Sequence, residues 1–414
     1  MLPAFCYRED NVIVQRKPPR HPRRGPSCLF VLFVAAVFSL GAYVIANADD
    51  VRQSLTPDPT AEPTRSAASL ATSASLFERD GDYEAAIEAY QAAVRLDGSR
   101  VDYYIPLVKL LIQLRRPEEA LDWAEQATIL DPTNDAVWTV QAAAYLANGD
   151  RLAAEGDPTG AALQYQEAVN AARQAVEINP DNAEAYAYGG GAEVQLGPEH
   201  LVRAQEMIET ALNLAPDSVI AHRYYASLLE SQGFYTDAIE QYLIALDQAP
   251  SAELYINLAR NYWANRDIPQ AILYFEEAIN LEPDNAEAYD GLGYMYFLIG
   301  EYPTAQQNFA QAVQLAPEMV RAHAHLGAAL FRQNSYDEAI KELEQATAGY
   351  QTITPDNAIY FNMLGLAYYY TTSECSQARP IFEQVLIVSE PESLARLNAT
   401  EGLDLCHQAE LNNP

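Results

Sequence analysis

Histidine and cysteine are the residues of this chain best suited to catalysis or metal binding, and we find no familiar catalytic or metal-binding pattern. The chain has six histidines and four cysteines. His323 and His325 are two residues apart in a segment with helical spacing, so they point to different faces of a helix. No HExxH, CxxC, GxSxG or GxxxxGK[ST] sequence occurs. The sequence therefore predicts no enzyme, no catalytic residue, no metal site and no cofactor.

Charge narrows the class of partner. The chain has 57 acidic and 25 basic residues, and its net charge is −32. Such a surface repels a phosphate backbone, which argues against nucleic acid. We expect protein partners with basic or amphipathic segments. The simpler alternative is that the acidic residues only keep a long, exposed chain soluble.

An apolar segment near the N-terminus favours a membrane anchor. Residues 28–46 read CLFVLFVAAVFSLGAYVIA, with no charge, which is close to the ~20 residues that cross a bilayer as a helix. Basic residues precede it (RKPPRHPRR), and Asp49-Asp50 follow it. This asymmetry predicts a cytoplasmic segment 1–27, a transmembrane anchor 28–47 and an extracytoplasmic remainder.

A cleaved signal peptide is the alternative for this segment. Ala46-Asn47-Ala48 has the small-x-small form of a cleavage site, and cleavage near Ala48 would release a secreted chain. The three prolines and low apolar content of residues 48–65 predict an extended linker.

Alanine recurs at a fixed period through the rest of the chain. Most intervals are 33 to 36 residues and one is 48, between the positions Ala93, Ala127, Ala175, Ala211, Ala245, Ala278, Ala312 and Ala346. A proline follows most of these alanines by five residues, and another alanine precedes them by seven. This period predicts a tandem array of structural repeats.

Each repeat predicts a pair of helices. In the stretch 286–298, apolar or small residues recur three and four apart, at Tyr289, Leu292, Gly293 and Tyr296. A turn at 300–302 follows, and a second helix then places Ala305, Phe309 and Ala312 on one face. His323 falls in the same slot as Tyr289, so packing accounts for it.

These residues resemble the tetratricopeptide repeat family, whose pattern is an aromatic, Leu-Gly, an aromatic, Ala, an aromatic, Ala and Pro. The matching residues are Tyr289, Leu292-Gly293, Tyr296, Ala305, Phe309, Ala312 and Pro317. The resemblance covers residues 66–390. It implies an all-α, right-handed superhelical solenoid of about nine hairpins, with the first helix of each lining the concave wall. Residues 391–414 suit a C-terminal capping helix and tail.

Two units depart from the pattern. The unit at 135–182 is 14 residues longer, and its alanine spacing predicts two longer helices that form a projecting hairpin, with an irregular loop as the alternative. Gly189-Gly190-Gly191 lies inside a helix, where each glycine costs about 1 kcal/mol against alanine. We expect that hairpin to be the softest of the array.

Cys375 and Cys406 are the two cysteines beyond the apolar segment. Extracytoplasmic proteins allow disulfides, so we expect these cysteines to be linked. Two buried free thiols are the alternative.

The concave wall is the best candidate interaction site. Helical spacing places one face of successive first helices there, and the candidate peptide-binding residues are Ile256, Asn257, Arg260, Trp263, Asp290, Tyr294, Phe297, Phe331, Asn362 and Tyr369. Asn257 lies where the family often uses asparagine to bind a peptide backbone. The alternative is that these aromatic residues pack only against their neighbours.

The function expected from the sequence is a membrane-tethered interaction scaffold or adaptor outside the cytoplasm. The alternative is an accessory subunit that positions a glycosyltransferase, a peptidase or secretion machinery.

Overall fold

The computed structural model describes residues 28–46, 66–350, 352–372 and 375–412. The chain divides into two compact units, Met1–Arg65 and Ser66–Pro414. The described residues form 20 α-helices and no strand, which confirms the all-α prediction. The predicted basic segment 1–27, the linker 48–65 and the cleavage position Ala48 lie outside the described residues.

The first unit contributes α1 (Cys28–Ala46). At 1.5 Å per residue this 19-residue helix is about 28 Å long, just under the roughly 30 Å of a bilayer's hydrocarbon core. No helix within the described ranges combines the length and the apolar character needed to cross a membrane. The prediction of a transmembrane helix at 28–46 is therefore wrong. The prediction of a single-pass membrane protein, which rested on it, is wrong as well.

The second unit is a run of helical hairpins, and its helices alternate between first and second members. They are α2 (Ala67–Arg79), α3 (Tyr83–Leu96), α4 (Tyr104–Gln113), α5 (Pro117–Leu130), α6 (Asp135–Ala154), α7 (Pro158–Ile178), α8 (Ala183–Leu196), α9 (Leu201–Leu214), α10 (Val219–Ser231), α11 (Tyr235–Gln248), α12 (Ala252–Ala264), α13 (Ile268–Leu281), α14 (Ala286–Leu298), α15 (Tyr302–Leu315), α16 (Val320–Arg332), α17 (Tyr336–Tyr350), α18 (Ala358–Thr372), α19 (Ala378–Val388) and α20 (Leu394–Asn412).

Local sequence sets the ends of these helices. Asn285 caps α14 by accepting a hydrogen bond from the backbone N–H of Ala288. The helix ends at Leu298, and Gly300 then adopts a φ of +84°, which suits glycine because it has no Cβ. Pro317 follows α15, where its missing N–H breaks no helical bond. The same signals recur along the array and produce its hairpins.

Small residues allow the helices of one hairpin to pack closely. A Cβ added at Gly293 of α14 would lie 2.7 Å from the Phe309 ring of α15, which is fully buried. The glycines at 189–191 of α8 are also buried, against side chains that include Met207, Ile208 and Tyr224. Their helix continues from Ala183 to Leu196 without a break. The softness predicted for this hairpin stays a prediction.

The third hairpin of the second unit is the longest. Its helices α6 and α7 have 20 and 21 residues, and Gly156, with a φ of +85°, lies in the turn between them. Gly149 gives the Tyr165 ring room to pack between the two helices. The alanine heptad read from the sequence therefore falls on continuous helix.

The last helix, α20, packs against α18 and α19 and covers the end of the array. A disulfide links Cys375, which precedes α19, to Cys406 in α20, with their Cα atoms 5.5 Å apart. Both cysteines are buried beside Phe382. Asn362 of α18 donates a hydrogen bond to the carbonyl of Ala395, at 2.6 Å, and so adds a polar contact to this cap.

Candidate functional site

The first helices of the hairpins line the concave wall, because the array curves until distant first-helix residues meet. Lys109 of α4 pairs with Glu184 of α8 at 3.0 Å. Arg115, at the end of α4, pairs with Glu287 of α14 at 3.4 Å, although 172 residues separate them. The second and seventh hairpins therefore approach each other across the groove.

The predicted groove residues divide by exposure. Trp263 is the most accessible, at 41%. The half-buried ones are Asn257, Arg260, Tyr294, Phe297, Phe331 and Tyr369. The buried ones are Ile256, Asp290 and Asn362. Ile256 belongs to the hydrophobic core and Asn362 bonds to the cap, so neither can anchor a partner directly.

Charged side chains form a ladder of ion pairs along this wall. Arg223 of α10 pairs with Glu253 of α12 at 2.9 Å, and Arg260 of α12 pairs with Glu287 of α14 at 2.5 Å. In the next step, Asp290 of α14 accepts from Arg321 of α16. The ladder links each first helix to the first helix of the following hairpin.

Asp290 lies at the C-terminal end of the ladder, where it contacts two residues of α16. One carboxylate oxygen is 2.7 Å from Nε of Arg321 and the other is 2.7 Å from Nδ1 of His325. Burial alone would raise the pKa of Asp290, but His325 and Arg321 outweigh burial and lower it. Asp290 therefore stays ionised and orients the imidazole of His325, whose Nε2 has no hydrogen-bond partner among the described residues.

Aromatic rings surround His325. Its ring lies 5.1 Å from that of Tyr294, 5.2 Å from that of Phe309 and 5.9 Å from that of Tyr360. A cavity of about 190 Å³ opens beside them, and its other lining residues are Phe297, Ala328, Arg332, Ile359, Met363 and Leu394. The wall thus offers a mainly apolar and aromatic cavity whose lining residues with polar groups are His325, Arg332, Tyr294 and Tyr360.

The expected aromatic column at Trp263, Phe297, Phe331 and Tyr369 is only partly free. The Phe297 ring packs edge-on against Tyr302, and the Phe331 ring against Tyr336, each at the start of its own second helix. Trp263 meets Tyr294 edge-on at 5.6 Å and keeps much of its surface open. Packing therefore accounts for part of Phe297 and Phe331, and Trp263 is the better anchor.

Asp150, near Arg223 and Glu253 of the ladder, is a carboxyl group with a raised pKa. Asp150 of α6 accepts a hydrogen bond from the Tyr165 hydroxyl at 3.0 Å. Asp150 is exposed at the surface, yet the helices packed around its carboxyl group desolvate it, and this raises its pKa to about 6. Tyr165 and Arg223 oppose the rise, while Glu253 adds to it.

We expect Asp150 to make stability depend on pH. Its pKa is higher in the folded than in the unfolded chain, so its contribution is fully present below about pH 4 and is lost as the pH rises through about 6. Melting temperatures of wild type and Asp150→Asn at pH 4, 5 and 7 test this. The variant should gain relative to wild type from pH 4 to pH 7. An equal difference at pH 4 and pH 7 would contradict the assignment.

Sequence reasoning missed the residues that complete the ladder, which are Arg223, Glu253, Glu287, Arg321 and His325. A signal was present for Arg223. It occupies the same position in α10 as Ile256 in α12 and Asp290 in α14. Extending the same register towards the N-terminus would have found it. Glu253, Glu287 and Arg321 also share a slot, 34 residues apart, and differ in sign.

A solenoid of helical hairpins with a side-chain-lined concave wall defines the class of helical repeat proteins. Models described as "Tetratricopeptide repeat" match residues 79–144, 200–253 and 326–391. One described as "Anaphase-promoting complex, cyclosome, subunit 3" matches residues 264–346. These matches support the assignment of the array to the tetratricopeptide repeat family.

Individual proteins agree with this assignment. The chain is 34% identical over 101 residues to small glutamine-rich tetratricopeptide repeat-containing protein 2 of Mycosarcoma maydis, covering 24% of this chain and 25% of that protein. The chain therefore matches about a quarter of the length of this curated relative.

Solved structures share the fold at low identity. The structure of the APC/C hetero-tetramer Cut9-Hcn1 aligns with a TM-score of 0.55 and 16% identity, covering 89% of this chain and 82% of that one. A human IFIT1 dimer with PPP-AAAA aligns at 0.56 and 18%, covering 82% and 89%. At these identities the likeness shows the fold alone.

Proposed function

We propose that the chain is an interaction scaffold that binds an extended, amphipathic segment of a partner protein along the concave wall of α12, α14, α16 and α18. The observation that carries the proposal is the cavity of about 190 Å³ beside His325, which opens on this wall close to the exposed ring of Trp263. Aromatic and arginine side chains around a concave pocket are typical of interface anchors. An apolar partner side chain fits the cavity, and its backbone can accept a hydrogen bond from His325.

Charge suggests where the basic residues of the partner segment lie. Arg260 and Arg321 are already paired with Glu287 and Asp290, so these carboxylates are engaged and offer little to basic partner residues on this part of the wall. The chain as a whole has a net charge of −32, and basic residues flanking the apolar anchor would meet this field. The same field disfavours RNA and DNA. We therefore expect an apolar centre with basic flanks.

Selection from a displayed peptide library, with the full chain as bait, tests the proposal. The selected peptides should share an apolar anchor with Lys or Arg beside it. The double variant Trp263→Ala and Phe297→Ala should weaken their binding by at least about 2 kcal/mol, or roughly 30-fold. The matched control is Leu163→Ala with Val202→Ala, two exposed apolar residues on the second helices α7 and α9, and it should bind like wild type.

Circular dichroism must first show that both double variants fold, because Phe297 also packs against Tyr302. The concave-wall proposal fails if the folded Trp263→Ala, Phe297→Ala variant binds the selected peptides as tightly as wild type. Weaker binding in moderate salt, with the apolar anchor unchanged, would support the basic flanks.

A further inference from the structure

The long hairpin has a second pocket that the concave-wall proposal does not use. It lies between α6 and α7 and has a volume of about 250 Å³. The residues that shape it are Trp138, Gln141, Tyr145, Glu167, Asn170 and Arg173. These side chains are mostly polar, unlike those of the cavity beside His325.

Gln141 stands out because it breaks the repeat pattern. The corresponding slot holds a buried leucine in five other hairpins, at Leu107, Leu258, Leu292, Leu326 and Leu364. Gln141 is only 6% exposed, and its side chain makes no hydrogen bond to any other residue that the structure describes. Leucine in the same slot needs no hydrogen bond, whereas the carboxamide of Gln141 does, and its polar atoms are not among the fully buried, unpartnered ones of the described residues, so they keep some contact with solvent. The little exposure that Gln141 retains lies in the pocket, so the pocket is where its donor and acceptor can be satisfied.

The aromatic side chains of the pocket are held in place. The indole N–H of Trp138 donates to the carbonyl of Pro132 at 2.9 Å, and the Tyr145 hydroxyl donates to Glu125 at 3.2 Å. Both polar groups are therefore directed away from a ligand, and the rings themselves remain as apolar walls. A ligand thus meets ring surfaces beside hydrogen-bonding groups.

The remaining groups match a ligand with many donors and acceptors. Gln141 and Asn170 supply carboxamides, a group that both donates and accepts, and the Asn170 amide also donates to Glu167 at 3.5 Å. Glu167 and Arg173 bring one negative and one positive charge, so the lining favours no net charge on the ligand. An apolar peptide anchor would leave the buried amide of Gln141 unpaired.

We propose that this pocket binds a neutral polyhydroxylated ring, about the size of one sugar residue, with Gln141 as its central hydrogen-bonding group. The ring's C–H faces pack on Trp138 and Tyr145, and its hydroxyls pair with the carboxamides. This site is independent of the concave wall.

Nuclear magnetic resonance of the full chain tests the proposal, with Trp138 as a built-in reporter. The indole N–H resonances of the three tryptophans are followed while glucose, galactose, mannose and N-acetylglucosamine are added. At least one sugar should shift the Trp138 resonance and leave that of Trp263 in place. A panel of short uncharged peptides containing asparagine or glutamine is titrated in parallel.

The decisive variant is Gln141→Leu, which restores the residue found in other hairpins. It should melt no lower than wild type and bind the sugar at least about tenfold more weakly. Asn170→Ala, at the pocket's edge, should also weaken binding without a change in fold. The proposal is overturned if no sugar shifts Trp138, if only the peptides do, if both variants bind the sugar within twofold of wild type, or if Gln141→Leu melts well below wild type.

Discussion

Replacing Phe309 by alanine should lower the free energy of unfolding by about 3–5 kcal/mol, one of the two largest effects that we expect in this chain. The ring is fully buried between α14 and α16, where it packs under Gly293 and lies 5.2 Å from the His325 ring. Its removal leaves a cavity that helices fixed at both ends by their neighbours cannot close. Urea unfolding, followed by circular dichroism, measures the loss.

A double-mutant cycle with Gly293 tests whether this contact is responsible. Gly293→Leu alone should cost about 1–3 kcal/mol, because the new side chain would collide with the Phe309 ring. In the combined variant the leucine occupies space that the ring has left, so the total loss should be smaller than the sum of the two single losses. Additive losses would show that the two residues do not share this contact.

Glu301→Leu is the matched control. Glu301 is exposed at the start of α15, and its side chain makes no capping hydrogen bond. We expect a change within about 0.5 kcal/mol. A comparable loss at Glu301 would show that the cost of Gly293→Leu does not come from its contact with the Phe309 ring.

The repeat was predictable because its period is a local property of the sequence. The alanines at the slots of Ala305 and Ala312 recur in hairpin after hairpin, most often with a large apolar or aromatic residue at the slot of Phe309 between them, and each hairpin buries the same face against its neighbour. Helix ends were also readable, since Asn285 and Pro317 act within a few residues of where they stand. Such signals need no knowledge of the curvature of the array.

The candidate site was less predictable because it depends on that curvature. The pair of Arg115 and Glu287 joins residues 172 positions apart, and no spacing in the sequence indicates it. In the sequence His325 stood out only as the neighbour of His323, and only the folded array brings it to Asp290 and between the rings of Tyr294 and Tyr360. The period of the sequence identified which helices form the wall. Which residues meet across the wall depends on the folded array.

Buried polar residues show the same limit. Asp290 and Asn362 were assigned to the groove because their slot faces the concave side. In the structure Asp290 bonds to Arg321 and His325, and the amide N–H of Asn362 donates to the cap, while its amide oxygen is buried without a partner among the described residues. A slot therefore predicts which wall a residue belongs to, and the neighbouring hairpin decides whether a partner can reach it.

Removing the disulfide should destabilise the C-terminal end of the array by about 3–4 kcal/mol, as expected from the entropy of closing a loop of 31 residues in the unfolded chain. The bond joins the segment before α19 to α20, so its loss acts on the unit that covers the end of the solenoid. In a repeat array each unit contacts mainly its neighbours, and the effect should stay local. We expect faster hydrogen exchange in 378–412 and unchanged exchange in 136–178.

The variant Cys375→Ala with Cys406→Ala is preferable to serine, because both positions are buried and a hydroxyl there would need a partner. Wild type treated with a reductant serves as the second arm and should show the same exchange pattern. Before reduction, neither cysteine should react with an alkylating reagent. Alkylation of both cysteines in the folded, oxidised protein would disprove the link. Equal acceleration along the whole array would instead show that the solenoid unfolds as one unit, so that the cap governs the stability of every hairpin, including those that form the concave wall.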